Sequence, residues 1–247
     1  MSSEQESNPE IEVLQEELNQ FRQAGFRLAG NDIEVDLKEL IGKAPKAKST
    51  ALIFVGIPGS GKSKLLEKVS RHFKVRSCHV RDLAVKNPEI RKIEKEFYRL
   101  GEIIPRIEKD FLNFAFERKS PYYLLDGFPR TLFQAVELYR YCADKKIGVK
   151  IIEIRLQDGR EVFQSYYRQS QRATYRVKKG VLFGQAQEEE NQRIVAKIRV
   201  ALELDLYVIE TLRALGANII TLDASKGPSK MFAEFKEKLG LLIASTD

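Results

Sequence analysis

The sequence predicts an α/β fold in which a five-stranded parallel sheet carries helices on both faces. Short strand-like runs at residues 51–55, 74–80, 122–125, 149–154 and 218–222 alternate with longer stretches of helical periodicity. This alternation is typical of parallel strands joined by helical crossovers and buried on both faces. Two of the runs are followed at once by a residue suited to a site, Gly56 after the first and Asp126 after the third. Because ligands bind beyond the carboxyl ends of such strands, we expect the functional site there.

The N-terminal 48 residues are predicted to form a helical extension, followed by a main domain over residues 49–247. Residues 9–28 carry a helical stripe of Ile11, Leu14, Leu18 and Phe21, and residues 36–41 suggest a short second helix. Residues 43–48, with alanines and a proline among lysines, indicate a linker. The extension could dock on its own domain, bind a partner or self-associate as a coiled coil, or be a mobile arm.

The helices of the main domain follow the strands in order. Gly216 stands where a glycine ends a helix, directly after the longest helical stretch. The predicted helices cover residues 62–73, 87–101, 131–144, 188–215 and 230–241, with two more that start at Pro105 and at Asp158.

Charge and composition favour a partner that carries phosphate. The 247-residue chain has a net charge of +7, which suits either nucleotide phosphates or nucleic acid. Aromatic residues do not alternate with basic ones as on an RNA-binding platform, so we expect no nucleic-acid partner.

The cysteines and histidines are too few for a disulfide framework or a zinc site. Cys78 and Cys142 are isolated in sequence, and the chain has 2 histidines, which indicates a reducing compartment. The first 20 residues contain six glutamates and neither lysine nor arginine, unlike a targeting peptide. No apolar run reaches the roughly 18 residues of a membrane span. We therefore expect a cytoplasmic protein without a membrane partner.

A glycine-rich loop after the first strand has the pattern of a phosphate-binding loop. Gly56, four residues, and then Gly61, Lys62 and Ser63 satisfy it. Glycines let backbone N–H groups approach phosphate oxygens, the lysine adds a positive charge, and the serine hydroxyl can bind Mg²⁺. A helix N-terminus behind the loop favours the same anion. The alternative is a simple strand-to-helix turn. The predicted nucleotide-binding residues of the loop are Gly56, Gly59, Ser60, Gly61, Lys62 and Ser63.

A carboxylate follows the strand over residues 122–125. Asp126 stands where a second ligand should hold the Mg²⁺ of a bound nucleotide, directly or through water, and the alternative is a helix N-cap. Arg130 lies four residues further along. Phosphoryl transfer needs positive charge around the moving group, which Lys62 and Arg130 could supply.

Residues 124–131, Leu-Leu-Asp-Gly-Phe-Pro-Arg-Thr, resemble the signature of adenylate kinases and related nucleoside monophosphate kinases. Residues 56–63 are similar to the phosphate loop of the same family, and residues 101–105 to its turn into the monophosphate-binding helices. The resemblance covers about residues 50–245. It implies a P-loop kinase fold with a short lid over about residues 173–187 and helices that bind the monophosphate.

The family resemblance implies roles for five residues. Lys62 contacts the donor phosphates, Arg130 grips the acceptor phosphate, and Gln134 reads the acceptor base unless it simply faces solvent. Arg168 matches the second of two arginines on the helix before the lid, and Arg199 the arginine behind the lid. Each could instead be a surface charge. Independently of the resemblance, the loop pattern and the strand end predict Ser63 and Asp126 as the ligands of Mg²⁺.

Three departures from the family pattern concern the acceptor side and the lid. In the stretch over residues 79–85 Asp82 is retained, but Val85 occupies the position of a phosphate-gripping arginine, for which Arg81 or Lys86 could substitute. Gln164 stands where the first arginine of the pre-lid helix belongs. The lid has no metal-binding cysteines and lacks a clear match to its own arginine.

The resemblance implies a kinase that transfers the γ-phosphoryl group of Mg-ATP to a nucleoside monophosphate, with AMP as the favoured acceptor. One alternative is a catalytically weak module of the same fold that binds nucleotide as a regulator or scaffold. Another is a kinase for a small metabolite or a nucleic-acid end. Formation of diphosphate that depends on a monophosphate would distinguish the first from the others.

Overall fold

The computed structural model describes residues 9–24, 47–86, 108–130, 132–156, 161–178 and 186–244. Its centre is one sheet of five strands in the order β2-β3-β1-β4-β5, and every neighbouring pair is parallel. The strands are Ser49–Val55 (β1), Val75–His79 (β2), Tyr122–Asp126 (β3), Ile147–Arg155 (β4) and Asn218–Asp223 (β5). The predicted five-stranded parallel sheet is confirmed.

Eight α-helices lie among the described residues. Those predicted over 62–73, 131–144, 188–215 and 230–241 are found with their ends shifted by a few residues, whereas the helix predicted over 87–101 lies outside the described residues. The helices are Pro9–Ala24 (α1), Lys62–His72 (α2), Val80–Lys86 (α3), Glu108–Phe116 (α4), Leu132–Asp144 (α5), Glu161–Lys178 (α6), Ala186–Ala214 (α7) and Gly227–Ala244 (α8).

The central strand β1 packs against helices on both of its faces. Ala51, Ile53 and Val55 point into a core formed with α4, α5 and α7. Leu52 and Phe54 point into a second core formed with α2 and α8. Side chains alternate between the two faces of a strand, so a strand that is apolar at every position needs cover on both sides. This requirement explains the uninterrupted apolar run that identified β1 in the sequence.

Helix α1 docks on the main domain. Ile11 and Leu14 are each 1% exposed and pack with side chains of α6 and α7 in a third apolar cluster. For residues 9–24 the structure therefore matches the first of the three alternatives, docking on the chain's own domain. The side chains of Leu18 and Phe21, the short helix at 36–41 and most of the linker lie outside the described residues, so the division at residue 48 stays a prediction.

Both cysteines, Cys78 and Cys142, are free and buried. Burial raises the pKa of the Cys142 thiol, which keeps it protonated and unreactive. Among the described residues, no helix combines the length and the apolar composition that crossing a bilayer requires.

Gly216 ends α7 as the sequence predicted. Its φ is +87°, its N–H donates to Arg213 O at 2.9 Å, and Ala217 N donates to Leu212 O at 2.9 Å. These two bonds define a Schellman motif, which places a glycine in the left-handed region. The motif turns the chain sharply from α7 into β5.

We expect Gly216→Ala to lower the free energy of unfolding by about 1 kcal/mol, since alanine is strained at positive φ. Gly240→Ala is the matched control, for which we expect the opposite change in the free energy of unfolding. Gly240 lies inside α8, and a Cβ there would meet no atom within 4 Å, so alanine should stabilise by about 0.5–1 kcal/mol. Urea unfolding of both variants checks this, and two shifts in the same direction would contradict it.

Candidate functional site

The loop between β1 and α2 closes on itself through Lys62. Lys62 Nζ donates a hydrogen bond to Gly56 O at 3.0 Å, which holds the ammonium group over the loop. Ser60 N donates to Ile57 O at 3.1 Å, and Leu65 N donates to Gly61 O at 3.1 Å where α2 begins. The loop thus presents backbone and a lysine charge at the N-terminus of a helix, an arrangement that binds anions.

The loop needs glycines for two physical reasons: a lack of space for a Cβ and positive φ angles. At Gly56 a Cβ would lie 2.8 Å from Ile154 O on β4, closer than real Cβ atoms come to backbone oxygen. Gly59 and Gly61 have φ values of +86° and +95°, which side chains disfavour. The Ser60 hydroxyl is buried in the loop and has no hydrogen-bond partner among the described residues.

Asp126 lies beside this loop at the carboxyl end of β3. In the register of the sheet Asp126 pairs with Phe54 of β1 and with His79 of β2. His79 Nε2 is 3.7 Å from Asp126 Oδ2, which is too long for a hydrogen bond. The two strand ends that the sequence analysis singled out are therefore neighbours on one edge of the sheet.

The turn after β3 fixes Arg130. Its Nε donates to Gly127 O at 3.1 Å, and its backbone N–H donates to Gln134 Oε1 at 2.8 Å. Phe128 is buried against Phe111, with ring centroids 4.6 Å apart. The guanidinium group stays exposed at the rim of the site. Arg130 is thus held at its backbone and its Nε while its charge remains accessible.

Gln134 does not face solvent, which excludes that alternative. The side chain is 3% exposed, and its oxygen is engaged by Arg130 N near the start of α5. This hydrogen bond caps the turn before α5 and places the Gln134 amide against the backbone of Arg130. Reading of an acceptor base by Gln134 stays a prediction.

Helix α6 is fastened to the phosphate loop by two side chains. Ser165 Oγ donates to Pro58 O, and Arg168 Nη1 donates to Gly59 O at 3.2 Å. Residues three apart share a helix face, so both bonds come from one side of α6. Arg168 therefore contacts the loop and is not a free surface charge. Ser165 is fully buried and was missed in the sequence, where its spacing from Arg168 was the available signal.

Among the described residues, no contact joins Arg199 to the phosphate loop. Its side chain is exposed on α7, while Ile198 beside it is buried against α1 and α6. On these contacts Arg199 is a surface charge, and its role in the site stays a prediction.

Residues 80–86 form the short helix α3, which the sequence analysis did not predict. Asp82 Oδ2 accepts from His79 N at 3.1 Å, the carboxylate half of a capping box. Capping of α3 therefore explains why an aspartate stands at position 82. Val85 is 72% exposed, and the side chains of its proposed substitutes Arg81 and Lys86 lie outside the described residues.

The predicted lid over residues 173–187 is partly helical. Helix α6 runs to Lys178 and α7 starts at Ala186, so the first six and the last two residues of that range belong to helices. Residues 179–185 lie outside the described residues. Within this part of α6 the Thr174 hydroxyl donates to Ser170 O, one turn earlier, at 3.0 Å.

A further carboxylate at this edge of the sheet is structural. Asp223 Oδ1 accepts hydrogen bonds from the Ser225 hydroxyl at 2.6 Å and from Ser225 N at 2.9 Å at the end of β5. The Ser225 hydroxyl bond is the main cause that lowers the pKa of Asp223 below its ordinary value. Asp223 is therefore occupied as the cap of a short 3₁₀ turn.

Ser63 and Asp126 fit a Mg²⁺ ion that arrives with nucleotide phosphates. Both offer oxygen ligands on adjoining parts of the same edge: Ser63 is exposed in the first turn of α2, and Asp126 is partly exposed at the end of β3. Among the described residues, no group of three or more histidine, cysteine, aspartate or glutamate side chains could hold a metal alone. Mg²⁺ commonly takes one or two protein ligands and completes its shell with phosphates and water.

A five-stranded parallel sheet with a glycine-rich loop between its central strand and a helix defines the P-loop kinase class. No family model matches the chain. It is 29% identical to an adenylate kinase of Malassezia globosa over 140 residues, 52% of this chain and 54% of the relative. It is 33% identical to one of Borrelia garinii over 131 residues, 46% of this chain and 59% of the relative.

A longer match reaches an adenylate kinase of Thermoanaerobacter, which is 24% identical over 220 residues, 76% of this chain and 97% of the relative. The chain thus spans little more than half the length of the first two relatives and nearly all of the third. Taken with the fold, these similarities show that the chain resembles adenylate kinases among the P-loop kinases.

Proposed function

We propose that the protein is a phosphotransferase that moves the γ-phosphoryl group of Mg-ATP to a nucleoside monophosphate, with AMP as the favoured acceptor. The observation that carries this proposal is the convergence of three groups on one sheet edge. Lys62 and Arg168 both contact backbone of the phosphate loop, and Asp126 ends the strand beside it. The names of the similar proteins, all adenylate kinases, support the same reaction.

The donor triphosphate would lie in the loop between β1 and α2. Backbone N–H groups around Gly59 and Gly61 and the dipole of α2 would bind the phosphates. Lys62 would exchange its bond to Gly56 O for a phosphate oxygen, and Arg168 would exchange Gly59 O in the same way. Each exchange replaces a neutral acceptor by a charged one, which makes a stronger hydrogen bond.

The acceptor would lie beside β3, where Arg130 is held. Its guanidinium group is anchored through Nε to Gly127 O and keeps its terminal N–H groups for an acceptor phosphate. Arginine binds phosphate oxygens in a two-pronged geometry that orients the group. Gln134, fixed to the same backbone, would lie near the acceptor base.

Mg²⁺ held near Ser63 and Asp126 would neutralise charge on the donor phosphates. The residues do the remaining work by binding and orientation. An oxygen of the acceptor phosphate attacks the γ-phosphorus, the bond from that phosphorus to the β,γ-bridging oxygen breaks, and ADP leaves with the electron pair. Lys62, Arg130 and Arg168 would stabilise the charge on the moving group. Residues 173–187 would exclude water as the proposed lid.

A screen of the purified full chain tests the proposal. The protein is incubated with Mg-ATP and each nucleoside monophosphate in turn, and ³¹P NMR follows diphosphate formation. We expect ADP in an amount twice the AMP consumed, and the fastest turnover with AMP. Diphosphate that forms equally without a monophosphate, or no diphosphate with any of them, would contradict the proposal.

A second candidate is a regulatory or scaffold module that binds nucleotide with little turnover. The exposed Val85 at the place of an acceptor arginine favours it, as does Gln164 at the place of an arginine on α6. Uptake of Mg-ATP in calorimetry without monophosphate-dependent ADP formation would select this function. The two free, buried cysteines suit a reducing compartment, and for either function we propose a cytoplasmic location.

A further inference from the structure

Helix α1 has no part in the proposed reaction, yet it lies against the helix that reaches the phosphate loop. Ile11 and Leu14 pack in the third cluster with Val162 of α6 and with four apolar side chains of α7. Ile57 of the phosphate loop packs against the edge of the same cluster. Helix α1, helix α6 and the loop are thus one contiguous packed unit.

Gln15 joins α1 to the beginning of α6. Its side chain is 5% exposed, and its Oε1 accepts a hydrogen bond from Val162 N at 2.9 Å. Its Nε2 donates to Asn19 Oδ1 at 3.2 Å, one turn further along α1, which orients the amide. Val162 is the second residue of α6, where backbone N–H groups have no acceptor within the helix. Gln15 therefore caps α6 from a position 147 residues away in the chain.

The capped end of α6 leads along one face to the phosphate loop. Val162, Ser165 and Arg168 follow one another at intervals of three residues and so lie close to one face of the helix. The first is held by Gln15, and the second and third are bonded to the carbonyls of Pro58 and Gly59. A shift at the start of α6 would be passed along this face to the guanidinium group of Arg168.

We propose that Gln15 is a positioning residue that, by capping α6, holds Arg168 against the phosphate loop in the geometry needed for phosphoryl transfer. This inference rests on the proposed function. It assigns to the N-terminal helix an indirect part in the reaction, since Gln15 bonds to Val162 and to Asn19 and acts through α6.

Gln15→Met tests the cap, because methionine keeps the length of the side chain and removes the acceptor oxygen. We expect kcat with Mg-ATP and AMP to fall about tenfold, while KM for ATP changes less than about twofold, since a cap and a small misplacement act on the transition state more than on binding. Glu17→Met on the exposed side of α1 is the matched control and should leave both constants unchanged. Equal kcat for Gln15→Met and wild type would overturn the proposal.

A double-mutant cycle with Arg168→Ala shows whether the effect passes through Arg168. In the Arg168→Ala background we expect Gln15→Met to change kcat by less than about twofold, because coupled residues do not act additively. A fall of about tenfold in both backgrounds would mean that Gln15 acts elsewhere, and would overturn the proposal. Asn19→Ala, which only frees the Gln15 amide, is the milder variant. It should lower kcat by about twofold to threefold in the same direction.

Hydrogen exchange separates this proposal from the proposed function, since it needs no turnover. In Gln15→Met the amides at the start of α6 should exchange about tenfold faster, while those of α8 keep the wild-type rate. If wild-type protein forms no ADP from ATP and AMP, the proposed function is wrong. Hydrogen exchange then still shows whether Gln15 caps α6. Unchanged exchange at Val162 would overturn the role of Gln15.

Discussion

Lys62→Ala should lower kcat/KM for phosphoryl transfer from ATP by about a thousandfold. The side chain of Lys62, the first residue of α2, bonds back to the loop, with Nζ 3.0 Å from Gly56 O. An ammonium group held over a phosphate site stabilises the charge on the transferred group, and neither water nor the helix dipole replaces it. We therefore expect most of the loss in kcat.

Lys64→Ala is the matched control, since Lys64 is an exposed lysine in the same first turn of α2. A coupled assay of ADP formation should give this variant wild-type turnover, and it should unfold within about 2 °C of wild type, because an exposed substitution costs little. Lys62→Ala, which loses the bond to Gly56 O, should unfold within about 5 °C of wild type. If Lys62→Ala keeps wild-type turnover in that assay, the proposed role of the phosphate loop is wrong.

The sheet and its phosphate loop could be predicted from the sequence because each signal was local. The run over residues 51–55 is apolar at every position, and Gly56 breaks it where a Cβ would collide with Ile154 O. Gly216 marks the end of α7 through its own backbone conformation. Strands buried on both faces and glycines at positive φ leave the same pattern in any chain that needs them.

Features that depend on long-range contacts could not be predicted. The apolar stripe of α1 indicated a helix that needs cover, and it left open which surface covers Ile11 and Leu14. The bond from Val162 N to Gln15 Oε1 joins residues 147 apart, and no spacing rule reaches that far. Gln134 was interpreted from a family pattern, whereas its burial under Arg130 follows from the turn that precedes α5.

The short helix α3 was missed for a different reason. It has seven residues, too few for a periodic pattern to be distinguished from a loop. The available signal was Asp82, three residues after His79, since that spacing is typical of a capping box. Its carboxylate was interpreted as a family remnant of the acceptor site, and the bond to His79 N gives it a structural cause.

Arg130→Met should lower kcat/KM for the acceptor monophosphate by about a hundredfold to a thousandfold, and leave the affinity for ATP within about twofold of wild type. The guanidinium group is fixed by Gly127 O and follows the carboxyl end of β3. Methionine retains the aliphatic length and removes every donor. Arg130→Met should therefore weaken binding of the acceptor monophosphate and lower kcat. Lys62→Ala, in contrast, acts on the donor ATP.

The control for Arg130→Met is Arg213→Met, at the last turn of α7 just before β5 begins, and so at the opposite edge of the sheet. Arg213 forms an exposed ion pair with Glu210, worth less than about 1 kcal/mol, and its loss should leave turnover unchanged. Initial rates over a matrix of ATP and AMP concentrations, with calorimetric titration of Mg-ATP, give both affinities. The bond to Gln134 Oε1 comes from the backbone N–H of Arg130 and not from its side chain, so the turn should survive the substitution. A loss confined to ATP affinity would move Arg130 to the donor side and contradict its proposed role.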